Sequence, residues 1–146
     1  MFPEALVELR EAARLTNNSP LLLSAYGEAL AESGDRQGSL EVLGRVQQLR
    51  KDRYVSPYDV SMIYAALGKK DRAFEWLDRA RRDRASFLPY ITWDRRADNL
   101  RSDARFDVLL RQLGLKPPIE NVGRQSGHTL PTTQRAPSKP GSRSAS

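Results

Sequence analysis

The stretch SPYDVSMIYAALGKKDRAFEWLDRA, residues 56–80, decides the fold of this chain. It opens with Ser56-Pro57, a capping serine before a proline whose missing N–H costs nothing there, and Asp59 follows as an acid that can reach back to the cap. Apolar residues then recur at the i, i+3, i+4, i+7 spacing of one buried helical stripe: Val60, Ile63, Tyr64 and Leu67. Gly68 supplies the positive φ that ends a helix and redirects the chain. The stretch therefore predicts two amphipathic helices joined by a glycine turn.

The same pattern recurs 34 residues earlier, where Ser19-Pro20 opens a helix and Gly34 ends it. Positions that match under this shift pair small residues with small and large with large. These packing positions are Gly27, Leu30, Gly34, Ser39, Leu43 and Val46 in the first unit, and Ser61, Tyr64, Gly68, Ala73, Leu77 and Ala80 in the second. Small residues at the contact let two antiparallel helices approach closely, so each unit is predicted to be a packed hairpin.

The predicted fold class is all-α: stacked antiparallel helical hairpins, an α-solenoid fragment, with a disordered C-terminal tail. Ala5, Leu9 and Ala12 fall in the same frame one period earlier, so the first helix is predicted to be half a repeat. The predicted domain covers residues 1–116. It comprises a half repeat (1–16), repeats at about 20–52 and 54–85, and a degenerate capping hairpin at about 88–115.

These residues resemble the tetratricopeptide repeat (TPR) family. The family pattern of large, small, Tyr, Gly, Ala, large and Ala is supplied in the second unit by Val60, Ser61, Tyr64, Gly68, Ala73, Leu77 and Ala80. The first unit supplies Tyr26, Gly27, Leu30, Gly34, Ser39, Leu43 and Val46. Residues 54–115 more specifically resemble the closing segment of TPR arrays in large bacterial regulators. Such segments carry Asp-Pro-X-Phe where this chain has Asp94-Arg95-Arg96-Ala97, so a weakly anchored short helix is expected there.

The resemblance implies a concave groove lined by the first helix of each hairpin, and hence a protein–protein interaction module with a scaffold or regulatory role. The frame places six residues in that groove: Ser24, Glu28, Ala31, Tyr58, Met62 and Ala65. One acid, a tyrosine, a methionine and small residues suit an apolar or weakly basic peptide or helix of another protein. The set of Lys, Arg and Asn with which some relatives hold a C-terminal carboxylate is missing.

Residues 117–146 form a Pro/Ser/Arg-rich tail that is predicted to be disordered, because it offers little apolar surface to offset the entropy of ordering. Its four basic residues against Glu120 give a net charge of +3 out of the total of +6. An alternative function follows from this charge: a small basic helical protein that associates with nucleic acid through its tail. The basic residues Arg79, Arg81, Arg82 and Arg84 favour nucleic acid less, since they span more than one helical turn and alternate with acids.

No pattern in the sequence indicates an enzyme, a cofactor or a metal site. His128 stands alone in the tail, cysteine is absent, and no Gly-rich phosphate-binding spacing occurs. The carboxylates pair with arginines at helical spacing, Glu75 with Arg79 and Asp78 with Arg82, which is typical of a solvated face. Five aromatic residues are expected mainly in the core rather than in a ligand pocket: Trp76, Phe87, Tyr90, Trp93 and Phe106.

The first helix carries a wide apolar stripe, formed by Phe2, Ala5, Leu6, Leu9, Ala12 and Ala13. Such a stripe predicts either self-association through this helix or marginal stability of the isolated chain. No segment approaches the length of apolar residues that a membrane span needs, and the charged N-terminus does not read as a signal peptide. The expected location is the cytoplasm.

Overall fold

The computed structural model describes residues 2–115, and within that range every regular element is helical. The six α-helices are α1 (Phe2–Leu15), α2 (Pro20–Glu32), α3 (Arg36–Leu49), α4 (Pro57–Ala66), α5 (Lys70–Asp83) and α6 (Ala104–Gln112). Two 3-10 helices, Leu88–Tyr90 and Arg95–Leu100, lie between α5 and α6. The predicted all-α fold class is therefore confirmed.

Local sequence signals set the ends of α2 and α4. Gly34 and Gly68 follow these helices with φ of 97° and 77°, the left-handed conformation that glycine adopts without a Cβ clash. Ser56 caps α4 by accepting a hydrogen bond from the Tyr58 N–H at 3.2 Å. Ser19 makes no such side-chain bond at the start of α2. The predicted reciprocal bond, from the Ser56 N–H to the Asp59 carboxylate, is not formed either.

The helices pack as two hairpins, α2 with α3 and α4 with α5, and α2 also packs on α4. Gly27 lies where α2 is closest to its neighbours, because an added Cβ would be 3.1 Å from Val42 and 3.4 Å from Ile63. The Ser39 hydroxyl donates to the Gly27 carbonyl at 2.8 Å, which satisfies both buried groups across the hairpin. Among the packing positions, Ser39, Val46, Ser61, Ala73, Leu77 and Ala80 have no exposed surface.

Two apolar clusters form the core, one around α2, α3 and α4 and the other between α4, α5 and the C-terminal elements. Tyr64 packs against both clusters and so joins them. Trp76 is 8% exposed, and two guanidinium groups lie near its ring centre, that of Arg50 at 4.8 Å and that of Arg79 at 4.5 Å. At these distances both arginines make cation–π contacts with the indole.

Helix α1 packs on α2, with Ala13 buried and Leu6 against the first cluster. Its Ala5 is exposed, whereas the equivalent positions Ser39 and Ala73 are fully buried. The difference arises because α3 and α5 each have a partner helix on that side within the described range and α1 does not. Self-association through α1 stays a prediction.

The predicted capping hairpin at 88–115 takes a different form from the two repeats. Instead of two α-helices it consists of the two 3-10 helices followed by α6. Pro89 disfavours a longer helix, and Asp94 and Asp103 each cap the start of a new one, so each helical segment is short. Phe106 and Leu110 of α6, with Leu100 just before it, are fully buried and close the second cluster.

Two glycine substitutions should change stability in opposite directions. Gly68→Ala is expected to lower the unfolding free energy by about 1 kcal/mol, because alanine is strained at a φ of 77°. Gly44→Ala is expected to raise it by about 0.5–1 kcal/mol, because Gly44 lies inside α3 with no atom near its missing Cβ. Urea denaturation followed by circular dichroism measures both. Equal effects of the two changes would contradict the assignment of Gly68 as a turn residue.

Candidate functional site

The residues predicted to line an open groove are covered in the structure. Tyr58, Met62 and Ala65 have no exposed surface, and Ser24 and Glu28 are 1% and 6% exposed. Ala31 is partly exposed. Residues 94–100, named the covering segment from here on, pack against α4 and occupy this side of the hairpins. The prediction of an open groove at these positions is therefore corrected: the chain fills it with its own residues.

An ion-pair cluster holds the covering segment in place. Arg96 donates to the Glu28 carboxylate of α2 at 3.0 Å and to the Asp94 carboxylate at 2.7 Å. Tyr58 of α4 donates its hydroxyl to Asp94 at 2.6 Å. The segment is thus tied to both hairpins through charged or polar groups on a largely buried surface.

Backbone contacts add to this anchoring. The Asn99 side-chain amide donates to the Ala65 carbonyl at 2.6 Å, and Arg101 donates to the Asp94 carbonyl at 2.8 Å. Ala97 is fully buried, so an alanine with these polar contacts takes the place expected for a phenylalanine. The expectation of a weakly anchored helix at residues 94–97 is wrong for that reason.

A repeated sequence motif could have revealed this anchoring. Asp94-Arg95-Arg96 and Asp103-Ala104-Arg105 share the pattern Asp-x-Arg, and each aspartate caps the helix that follows. In both, the aspartate accepts from the backbone N–H and the guanidinium of the arginine two residues later. Each arginine then reaches a second acid, Glu28 for Arg96 and Asp71 for Arg105, at 3.0 and 2.9 Å.

Burial shifts the ionisation of this cluster. It raises the pKa of Glu28 to about 7, because Arg96 offsets only part of the desolvation and the nearby charges of Asp59 and Glu32 add to it. Burial also raises the pKa of Asp94, but hydrogen bonds from Arg96 and Tyr58 outweigh it and lower that pKa to about 2. The pKa of the Tyr58 hydroxyl is raised by burial and by its bond to Asp94.

An exposed row of three aromatic side chains precedes the covering segment. Backbone hydrogen bonds of the i to i−3 kind run through this stretch, among them those from the Tyr90 N–H to the Phe87 carbonyl and from the Trp93 N–H to the Tyr90 carbonyl. With three residues per turn, side chains three apart share one face. Phe87, Tyr90 and Trp93, named the aromatic ridge, are 57%, 63% and 81% exposed.

The opposite face of this 3-10 stretch is anchored in the core. Leu88 and Ile91 are 1% and 0% exposed and belong to the second apolar cluster. The expectation that the five aromatic residues lie mainly in the core is therefore confirmed for Trp76 and Phe106 and wrong for the ridge. Two buried aliphatic residues take the core positions, which turns the aromatic rings outward.

A cleft of about 290 Å³ lies beside the ridge at Phe87. The N-terminal ends of α2 and α4 contribute to it, together with the turn before α4. Its lining residues are Ser19, Pro20, Leu21, Tyr54, Ser56, Asp59, Ser86 and Phe87. Leu21, Tyr54 and Phe87 are each more than half exposed, and Phe87 belongs to both the cleft and the ridge.

The remaining predicted polar groups form surface ion pairs. Asp78 pairs with Arg82 at 3.2 Å as predicted, and also with Arg81 at 2.9 Å. Glu75 pairs with Arg72 rather than with the predicted Arg79, which stacks on Trp76 instead. In the described part of the chain, no group of three or more His, Cys, Asp or Glu residues is placed to hold a metal ion. His128 and the basic tail lie outside the described residues.

No helix between residues 2 and 115 combines the length and the apolar character needed to cross a membrane. Comparison with protein-family models, curated proteins and solved structures finds no match to this chain. The site is thus defined by its own geometry. It consists of an exposed aromatic ridge, an adjoining cleft and a groove that is filled by the covering segment.

Proposed function

We propose that the chain is a protein–protein interaction module that binds a segment of a partner protein along the aromatic ridge and cleft, in a scaffold or regulatory role. The observation that carries this proposal is the exposure of three aromatic side chains, Phe87, Tyr90 and Trp93, at a spacing of three residues in a stretch with i to i−3 backbone hydrogen bonds. Exposed apolar surface that is gathered in one place marks interaction sites more often than scattered apolar residues do.

Aromatic side chains are suited to this role. Tyrosine and tryptophan offer a large contact area with few rotatable bonds, and they are enriched among the residues that dominate binding energy. Trp93, at 81% exposure, presents nearly its whole indole to solvent. A partner that covers the ridge would therefore bury much apolar area at a small entropic cost.

The chain is anchored both beneath the ridge and immediately after it. Leu88 and Ile91 fix its buried face, and the Asp94–Arg96–Glu28 contacts fix the chain immediately after it. Rigid presentation favours affinity because less conformational freedom is lost on binding. The stacked hairpins and the resemblance to TPR proteins support a scaffold role, whereas the filled groove argues against peptide binding at Tyr58 and Met62.

Loss of the ridge should abolish binding without unfolding the chain. Peptides are selected from a displayed library against the whole chain, and their affinities are measured for wild type and for a Tyr90→Ser/Trp93→Ser variant. We expect the variant to bind at least about thirtyfold more weakly, as for the central residues of an interface. Its melting temperature should be nearly unchanged, because both side chains are exposed.

Val108→Ser serves as a matched control, since Val108 is an exposed apolar residue on α6, away from the ridge. It should leave peptide affinity unchanged. Selected peptides that bind the ridge variant as tightly as wild type would contradict the proposal. Oligonucleotide binding that is lost on removal of residues 117–146 and falls steeply with salt would favour the nucleic-acid alternative instead.

A further inference from the structure

Asp59 is a buried acid whose role in the fold is unexplained. It is 8% exposed and lies in the first turn of α4, yet it does not complete the cap with Ser56. Within residues 2–115 no hydrogen bond and no ion pair reaches its carboxylate. The nearby Arg96 directs its donors to Asp94 and Glu28 instead. Burial raises the pKa of the Asp59 carboxyl despite the nearby charge of Arg96.

Asp59 is one of the residues that line the cleft beside the ridge, together with aromatic and hydroxyl-bearing residues. Tyr54 and Phe87 are the aromatic residues of this lining, and Ser19, Ser56 and Ser86 supply hydroxyl oxygens. The faces of aromatic rings attract cations, and hydroxyl oxygens accept hydrogen bonds from ammonium or guanidinium groups. The apolar side chain of Leu21 can contact the aliphatic stem of a long basic residue.

The cleft fits an anion poorly, although two helices begin there. Pro20 and Pro57 occupy the first position of α2 and α4 and have no N–H to donate. A further N–H of α4, that of Tyr58, is bonded to the Ser56 hydroxyl. The Asp59 carboxylate would repel a second negative charge in addition.

We propose that this cleft binds a lysine or arginine side chain of the partner segment, with Asp59 as the counter-ion and Tyr54 and Phe87 as flanking aromatic groups. The inference rests on the proposed function, because it names the chemistry of the partner at one end of the same surface. Phe87 belongs to both the ridge and the cleft, so a bound segment places a basic residue in the cleft and apolar residues along Tyr90 and Trp93.

The test uses blocked pentapeptides that differ only in a central lysine, arginine, norleucine or glutamate. Each is titrated into the isotope-labelled whole chain, and the amide resonances of Tyr54, Asp59 and Phe87 are followed by NMR. Lysine and arginine peptides should shift these amides at concentrations at which the norleucine and glutamate peptides have little effect. Asp59→Asn should weaken the lysine peptide about tenfold or more, since it removes a charge-assisted contact from a desolvated site.

Asp107→Asn is the matched control, because Asp107 is an exposed aspartate on α6, outside the cleft. It removes the same charge from the chain and should leave the affinity unchanged. Tyr54→Ala provides a second variant that does not threaten folding, since Tyr54 is 71% exposed, and it should weaken the lysine peptide severalfold.

Equal binding of the norleucine and lysine peptides, or equal affinity of Asp59→Asn and wild type, would overturn the cationic assignment. If the amides of Tyr90 and Trp93 shift in that case, the ridge is still a peptide-binding surface and the proposed function stands. Absence of any shift with the lysine and arginine peptides also overturns the inference, while the proposed function is decided separately by the library selection.

Discussion

Arg96→Met is expected to lower the unfolding free energy at pH 8 by about 2–3 kcal/mol. Removing one partner of a buried ion pair leaves the other charge desolvated, which typically costs about 3–5 kcal/mol. The loss expected for this variant is smaller than that typical cost, because the Arg96 side chain is 37% exposed and solvent weakens its contacts. Near pH 5 the loss should be only about 1 kcal/mol, because Glu28 is then protonated and needs no counter-ion.

Urea denaturation followed by circular dichroism at both pH values measures this effect. Arg95→Met is the matched control, since Arg95 is exposed and precedes Arg96 directly, and it should change stability by less than about 0.5 kcal/mol. Amide hydrogen exchange adds a local readout, because loosening of residues 94–100 should accelerate exchange there before α2 and α3 are affected. Equal effects of the two methionine substitutions would show that the cluster does not anchor the covering segment.

The stability of the unmodified chain is expected to fall as the pH rises from about 4.5 to about 7. The pKa of Glu28 is about 7 in the folded chain and 4.5 as its ordinary value, so the folded state holds this proton more tightly. Deprotonation across that window costs folding about 3 kcal/mol at about 1.4 kcal/mol per pH unit. Asp59, whose pKa is also raised, adds in the same direction.

Asp94 acts at the acidic end of the pH range. Its folded-state pKa is about 2, against an ordinary value of 3.8, so its stabilising contribution is lost as the pH falls through that interval. The two opposite effects place the maximum of stability between them, near pH 4 to 5. Denaturation curves from pH 3 to 9 should show this maximum.

Glu28→Gln isolates the contribution of Glu28. The variant should lose most of the slope between pH 4.5 and 7 and be more stable than wild type at pH 8, by about 1–3 kcal/mol. Glu32→Gln on the same helix is the control, because Glu32 is exposed, and it should keep the slope. A wild-type stability that rises steadily from pH 4.5 to 8 would contradict the assigned ionisation of Glu28.

The helical hairpins could be predicted because their signals are local. Serine and proline mark where α2 and α4 begin, and Gly34 and Gly68 mark where each helix turns into the next. The absence of a side chain at Gly27 indicated a close contact between helices, and in the structure Val42 of α3 packs against Gly27. Such features depend on neighbouring residues and on the helical period, so a single sequence contains them.

The covering segment and the ridge could not be predicted in the same way. The covered groove depends on the ion pair between Glu28 and Arg96, which are 68 residues apart in the sequence. No sequence periodicity links these two residues. The ridge depends on which side of its 3-10 stretch turns to the core, and a spacing of three residues is shared by the exposed aromatic residues and by the buried Leu88 and Ile91. The groove assignment failed because it treated residues 88–115 as a further hairpin, whereas the covering segment packs against α4.

The two tryptophans lie in opposite environments, which gives the chain two separate fluorescent reporters. Trp76 is buried and contacts two guanidinium groups, so its emission should change when α5 unfolds and exposes the indole to water. Trp93 projects into water in the native state, so its emission responds to whatever covers it. The fluorescence of a Trp93→Phe variant therefore reports folding alone, because only Trp76 remains. The fluorescence of a Trp76→Phe variant reports the docking of a partner on Trp93.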